Sequence, residues 1–193
     1  GLGGFAAGPV VRRAAAKGIR TALLNPDAVP GKANRYLARR VEVIFTQFPS
    51  TAEAFPGALR GKVRQAGCPL RRGLVGAGRA EALAAFGLRE DRRTLLVTGG
   101  SQGAASINGA LAGLRADLDA LAGAWQVLHV TGPEGQAAPA EEGAILVRTL
   151  PYCDRMDLAY AAADLAVCRA GAVTVAELAA TGTPAVLLPY PHH

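Results

Sequence analysis

Short runs of apolar, often β-branched residues alternate along this chain with longer stretches rich in Ala and Leu. The runs at residues 21–24, 41–45, 94–98, 125–130, 144–147, 164–168 and 185–188 have the length and character of strands. Most are apolar on successive positions rather than on alternate ones, the pattern expected when both faces of a parallel sheet are covered. Between them, residues 5–17, 32–40, 80–86, 104–121, 155–163 and 173–181 predict helices, the last closed by Gly182 ahead of Pro184. A βα rhythm of this kind predicts a doubly wound α/β fold.

The rhythm breaks between Gly67 and Gly78, where Gly and Pro interrupt both periodicities. A boundary there divides the chain into residues 1–72 and 73–193. The first part, with about two strands, falls short of a usual open sheet of about four to six. The second nearly completes a mononucleotide-binding domain, and both ends read as truncated.

Composition narrows the class. The chain has 193 residues, half of them hydrophobic, so a chain of this size can bury about 70% of its unfolded surface. Charges recur throughout, and no apolar run approaches the roughly 18 to 20 residues of a spanning helix. Residues 1–9 lack the basic segment and apolar stretch of a signal peptide. Cys68, Cys153 and Cys168 are widely separated and form no CxxC pair, which points to a reducing cytoplasm and away from zinc. The formal charge of +6 suits phosphorylated ligands or an anionic membrane surface, and equally suits solvated faces rich in Arg. With Lys and Arg scattered and only ten aromatic residues, a nucleic-acid role is not expected.

Candidate chemistry sits at two turns. Leu95-Leu96-Val97-Thr98 runs into Gly99-Gly100-Ser101-Gln102-Gly103-Ala104, a strand, a small-residue turn and a helix start. Backbone N–H groups there can approach an anion, aided by the helix dipole, and Ser101 can donate to a phosphate oxygen. A tight turn without a ligand accounts for the same residues. The turn lacks the Gly-Lys-Ser/Thr ending of a Walker loop and is not a full GxGxxG. The second turn is Arg169-Ala170-Gly171-Ala172-Val173-Thr174-Val175-Ala176-Glu177. Both open at carboxyl ends of strands, where doubly wound folds bind ligands, so the two can line one crevice. Thr174 and Glu177 read either as an N-cap with its capping box or, for Glu177, as a carboxylate accepting from ribose hydroxyls.

These turns, with Asn108, Gly182-Thr183-Pro184-Ala185 and Pro189-Tyr190-Pro191-His192, closely resemble the MurG family in order and spacing. The resemblance continues upstream through Gly1-Leu2-Gly3-Gly4-Phe5, Gly8-Pro9, Ala28-Val29-Pro30-Gly31 with Asn34-Arg35, and Gly67-Cys68-Pro69-Leu70-Arg71, and so covers essentially the whole chain. It implies a GT-B fold of two Rossmann-like domains and transfer of N-acetylglucosamine from UDP-GlcNAc to lipid I, giving lipid II for peptidoglycan. By matching motif, Ser101 meets the diphosphate region, Gln102 belongs to the UDP-GlcNAc site, Arg71 lies at the domain junction near the donor, and Cys153 lies beside the uracil. Ala172, Val173, Thr174, Val175, Ala176 and Glu177 hold the nucleotide, with Glu177 on the ribose. Gly3, Gly4 and Phe5 belong to a glycine-rich loop facing the acceptor diphosphate. The implied setting is the cytoplasmic face of the bacterial inner membrane, bound peripherally, with Arg12, Arg13, Lys17 and Arg20 compatible with docking.

Departures from the family pattern matter too. Leu24-Asn25-Pro26-Asp27 stands where the family has His-Glu-Gln-Asn, so a polar contact to sugar or acceptor falls to Asp27. Cys68 replaces a common Asn, and Ala7 a frequent Ser. The family's first glycine-rich loop, with the histidine proposed as base, would precede Gly1, and its Gln-containing sugar contact would follow His193. No catalytic base is therefore assigned. His129 reads as a core residue, His192 lies near the sugar-side loop or in a tag remnant, and Asp27 is the least poor carboxylate candidate or else a solvated loop residue. Transfer is expected to invert the anomeric centre through an oxocarbenium-like transition state, with leaving-group charge stabilised by Arg71 and backbone donors, and with no required cofactor or metal. Three alternatives remain: a related UDP-sugar transferase with another acceptor, a nucleotide-binding module without catalysis, and an NAD-binding Rossmann protein.

Overall fold

The computed structural model describes residues 1–100, 103–133 and 143–190, apart from the side chain of Phe5. The contacts divide the chain into two compact units, Gly1–Pro69 and Leu70–His193.

In the first unit three parallel strands, β1 (Ala22–Asn25), β2 (Val43–Thr46) and β3 (Val63–Gln65), lie in that order. Leu23 pairs with Ile44, and Ile44 with Val63. Around them are α1 (Gly4–Ala16), α2 (Lys32–Leu37), a 3-10 helix (Pro49–Ala54) and α3 (Gly57–Arg60). Val11 of α1, Leu37 of α2, Leu23, Ile44, Phe55 and Leu59 close one apolar core. The third strand exceeds the two expected. Val63-Arg64-Gln65 carries a single apolar residue, so periodicity has nothing to register, and pairing with β2 creates the strand. At the entry to α1, Gly3 and Gly4 have φ of 86° and 76°, the left-handed region that glycine enters without steric cost.

The second unit holds five parallel strands: β4 (Arg93–Thr98), β5 (Trp125–Val130), β6 (Val147–Leu150), β7 (Leu165–Arg169) and β8 (Ala185–Leu188). Their spatial order is β6-β5-β4-β7-β8. The chain thus winds from β4 out to β6 in one direction, then returns to the other side of β4 with β7 and β8. This is the doubly wound, Rossmann-like order, and its reversal falls between β4 and β7.

Helices cover both faces of β4, β5 and β7, which is why those strands are apolar on successive residues, whereas Val186, Leu187 and Leu188 of β8 are exposed. On one face Leu96, Leu128 and Ala166 pack with Ala82 and Leu83 of α4 (Arg79–Phe86), Leu158 and Ala159 of α7 (Met156–Ala162) and Leu178 of α8 (Ala172–Thr181). On the other, Val97, Val127 and Val147 pack with Ile107 of α5 (Ala105–Gly113) and with Ile145. Truncating Leu96 or Leu128, both fully buried, to Ala would cost about 2–5 kcal/mol.

Two elements differ from expectation. The helix expected over 104–121 breaks at Leu114 into α5 and α6 (Arg115–Asp119), immediately after Gly113, a residue that weakens helix interiors. The strand expected at 144–147 lies instead at Val147–Leu150. Ile145 is buried from the preceding loop, where its N–H donates to Asp119 Oδ1 at 2.9 Å. Its apolar signal belongs to packing rather than to the ladder. Gly182, in the left-handed conformation with φ 69°, ends α8 as expected.

Candidate functional site

Thr98 at the end of β4 is the register partner of Cys168 near the end of β7. The turns that follow these strands therefore leave the sheet side by side at the point where strand order reverses. Thr98 Oγ1 accepts the Gly100 N–H at 3.2 Å, and the Gly103 N–H donates to the Gly100 carbonyl at 3.0 Å. Gly100 and Gly103 hold φ of 83° and 74°, and a Cβ on Gly103 would run into the Thr131 carbonyl oxygen at the end of β5. A larger residue at either position would be strained, which explains why the turn is built from glycine. Helix α5 begins directly after it, with no side-chain hydrogen bond from its N-cap residue, Ala104. Helix α8 starts the same way behind Gly171. Helix starts of this kind leave N–H donors and partial positive charge for an anion.

A cleft of ≈ 280 Å³ opens between the two turns. Its volume is near the lower end of the roughly 300–1,000 Å³ typical of small-molecule sites. Its walls include Thr98 and Gly100 from the first turn, Val173, Thr174 and Glu177 from α8, and Arg71, Cys153 and Tyr160.

One wall of the cleft is a buried pair. Tyr160 Oη donates to Glu177 Oε2 at 2.9 Å, and the two residues are only 4% and 8% exposed. Burial, with the carboxylate alongside, raises the Tyr160 pKa far above its usual value, so the phenol stays protonated and acts as a donor. Glu177 is thus an oriented acceptor at the cleft wall. The capping-box reading fails here, because the N-cap of α8 is Gly171 and makes no side-chain bond. Thr174 lies three residues beyond that cap, and with Val173 and Glu177 it shares the face of α8 turned to the cleft, as i, i+3 and i+4 spacing requires.

Arg71 is exposed, and its Nη1 donates to the Asp154 carbonyl at 3.2 Å, which brings the guanidinium to the cleft beside Cys153. Burial pushes the Cys153 thiol up, which makes it a packing surface rather than a nucleophile. Cys168 is buried and its pKa is raised for the same reason.

The structure thus gathers Arg71, Cys153, Val173, Thr174 and Glu177 in one place. Ala172, Val175 and Ala176 lie on the same helix but do not line the cleft. Ser101, Gln102 and His192 fall outside the described residues, as does the side chain of Phe5. Asp27, Gly3 and Gly4 belong to the first unit. There the Asp27 side chain is exposed, and its carbonyl accepts from Asn25 Nδ2 at 2.6 Å and Thr51 Oγ1 at 3.4 Å. Asn34 Nδ2 donates to Asn25 Oδ1 at 2.9 Å, and Asn34 Oδ1 lies 3.3 Å from where a Cβ on Gly3 would stand. His129 is buried on the α5 side of the sheet, away from the cleft. Sequence reasoning missed Tyr160, because a tyrosine in the apolar run of α7 reads as core; its polar tip was the available signal. Among the described residues, no group of three or more His, Cys, Asp and Glu side chains is arranged to hold a metal ion.

A doubly wound sheet with a cleft at its switch point places this unit among the Rossmann-like α/β proteins, which bind ligands at that point. Residues 94–193 match the glycosyltransferase family 28 C-terminal domain. Two curated relatives, from a Nocardioides species and from Acidothermus cellulolyticus, are 45% and 46% identical over 99% and 100% of the chain. Both are named UDP-N-acetylglucosamine--N-acetylmuramyl-(pentapeptide) pyrophosphoryl-undecaprenol N-acetylglucosamine transferase. The crystal structure of Acinetobacter baumannii MurG superposes on all of the chain with a TM-score of 0.67 at 30% identity, the match covering 52% of that protein. The calicheamicin glycosyltransferase CalG4 shares the fold, with a TM-score of 0.51 over 91% of the chain and 50% of its own, at 18% identity. The chain belongs to the MurG family of glycosyltransferases, and its fold is of the GT-B class. It spans about half the length of the curated relatives it matches, 52% for the two named.

Proposed function

We propose that this chain contributes the donor half, and part of the acceptor half, of an inverting transferase that moves N-acetylglucosamine from UDP-GlcNAc to lipid I, forming lipid II. The observation that carries this reading is the cleft between the turns after β4 and β7, walled by the Tyr160–Glu177 pair and by Arg71. In this reading Glu177 accepts from the ribose hydroxyls, and Val173 and Thr174, with neighbouring Ala172, Val175 and Ala176, hold the nucleoside. Cys153 lies against the base. The glycine turn with Ser101 and Gln102, the start of α5 and Arg71 take the diphosphate.

As the glycosidic bond breaks, negative charge grows on the departing UDP. N–H donors already in place and a guanidinium stabilise that charge without reorganisation, so the reaction does not require a metal or other cofactor. The acceptor side falls to Gly3, Gly4, Phe5 and Asp27 of the first unit, and the base that deprotonates the acceptor hydroxyl is left unassigned.

The setting that goes with a lipid-linked acceptor is the cytoplasmic face of the inner membrane, with roles in cell-wall growth, shape and division. Peripheral contact suits exposed Leu2, Val10 and Ile19 beside the exposed Arg12, Arg13, Lys17 and Arg20. No described helix is long and apolar enough to cross a membrane, and no nucleic-acid partner is proposed. The Leu24-Asn25-Pro26-Asp27 stretch favours a second reading, a related UDP-sugar transferase with a different acceptor, because Asn25 is fully buried and bonded within its own unit. Incubating the complete gene product with UDP-GlcNAc and either lipid I or unrelated lipid acceptors separates the two. Transfer to lipid I is expected, and turnover of another acceptor alone would refute it.

A further inference from the structure

On the α5 side of the sheet, a buried polar relay runs behind the glycine turn. His129 is 4% exposed, and its Nε2 lies 2.9 Å from Asn108 Oδ1. Asn108 Nδ2 donates to the Thr131 carbonyl at 3.0 Å. That same carbonyl oxygen is the atom that a Cβ on Gly103 would strike. One chain of contacts therefore links the last residues of β5, the first turn of α5, Thr131 just past β5 and the glycine turn.

The direction of each bond follows from the donor count. Since the Asn108 amide nitrogen faces a carbonyl, its oxygen must face His129, so His129 Nε2 carries the proton. Nδ1 is then a bare acceptor, and it is buried without a partner among the described residues. Thr149, the register partner of His129 on β6, has a hydroxyl that is likewise buried and unpartnered. An orphaned buried nitrogen is uncommon and costs stability. A Leu or Phe at position 129 would avoid that cost but would lose the bond to Asn108.

We propose that His129 and Asn108 are positioning residues that seat Gly103 and the start of α5 against Thr131, and so align the backbone donors that receive a diphosphate. This rests on the nucleotide reading above. Neither residue touches the cleft, so the effect should fall on the diphosphate and not on the nucleoside.

The test uses the full chain, with UDP and uridine titrated calorimetrically into wild type, His129→Leu, Asn108→Ala and His129→Gln. His129→Leu and Asn108→Ala are expected to weaken UDP about tenfold, the scale of one lost hydrogen bond, with uridine unchanged. His129→Gln, which keeps an N–H donor, should recover most of the affinity. Amide hydrogen exchange over residues 103–107 should quicken in the first two variants and return toward wild type in the third. Wild-type UDP affinity and exchange in His129→Leu and Asn108→Ala, equal losses for uridine and UDP, or no recovery in His129→Gln would each overturn the proposal. Wild-type protein that does not bind UDP would refute the nucleotide reading instead, and the exchange pattern alone would then decide whether the relay seats the turn.

Discussion

Replacing Tyr160 with Phe removes a single oxygen from a buried wall of the cleft. The ring keeps its place among Leu158, Ala159 and Leu178, so packing should change little. What is lost is the 2.9 Å bond to Glu177 Oε2. A hydrogen bond to a charged group contributes about 1.5–3 kcal/mol, and here the acceptor left behind is a carboxylate on a residue only 8% exposed. Urea denaturation should therefore show a stability loss in that range with an unchanged m-value. The freed carboxylate also loses the orientation that, in the proposed reading, aims it at the ribose. If about half of that bond energy is expressed in ligand positioning, UDP affinity should fall about three- to tenfold. Calorimetry with UDP and with 2′,3′-dideoxy-UDP distinguishes this from a general loss, since the dideoxy compound has no hydroxyl for Glu177 to accept. Its affinity should be the same in wild type and in Tyr160→Phe. A variant that keeps wild-type stability and UDP affinity, or one that loses both ligands equally, would refute the reasoning.

Three further outcomes follow from the same geometry. Arg71→Ala should weaken UDP about tenfold and leave uridine within about twofold, because the proposed reading assigns the guanidinium to the diphosphate; equal effects on both ligands in calorimetry would remove it from the diphosphate. Gly103→Ala should destabilise the protein by at least about 1–2 kcal/mol in chemical denaturation, from its left-handed φ and its approach to the Thr131 carbonyl, and should abolish UDP binding at concentrations that saturate wild type. His129 supplies a pH dependence: burial lowers its pKa, so above about 6.5 it is neutral in both folded and unfolded chains and its contribution to stability is complete. As pH falls below that value the unfolded chain takes up a proton that the folded one resists, and stability declines. His129→Gln should flatten the decline below about pH 6.5, and an unaltered slope in pH-resolved denaturation would contradict the assignment.

How much of this was legible in the sequence depends on the kind of signal. Apolar runs and Gly-rich punctuation marked the strands and turns of the second unit, because a doubly covered parallel sheet leaves continuous hydrophobic stretches that stand out from amphipathic helices. The order β6-β5-β4-β7-β8 is not written in any run, and it is what brings Gly100 and Glu177 to one cleft. Val63-Arg64-Gln65 escaped notice since its strand character comes wholly from β2. Ile145 misled for the opposite reason, being apolar to fill a core from a loop. Thr174 and Glu177 fit a capping box equally well on paper, and the placement of Gly171 as the cap rules it out. Tyr160 lies 17 residues from its partner, a separation over which local pattern carries no information. The histidine relay was invisible likewise, since His129 and Asn108 meet only once α5 folds back on the sheet.

The central claim is that the turns after β4 and β7 bind a single uridine diphosphate together. Titrating the isotopically labelled chain with UDP, and following backbone amides by NMR, tests it most directly. Gly100 and Gly103 on one side, and Val173 and Thr174 on the other, should shift along curves that fit one common dissociation constant. Shifts confined to one turn, or two turns saturating at different concentrations, would contradict it.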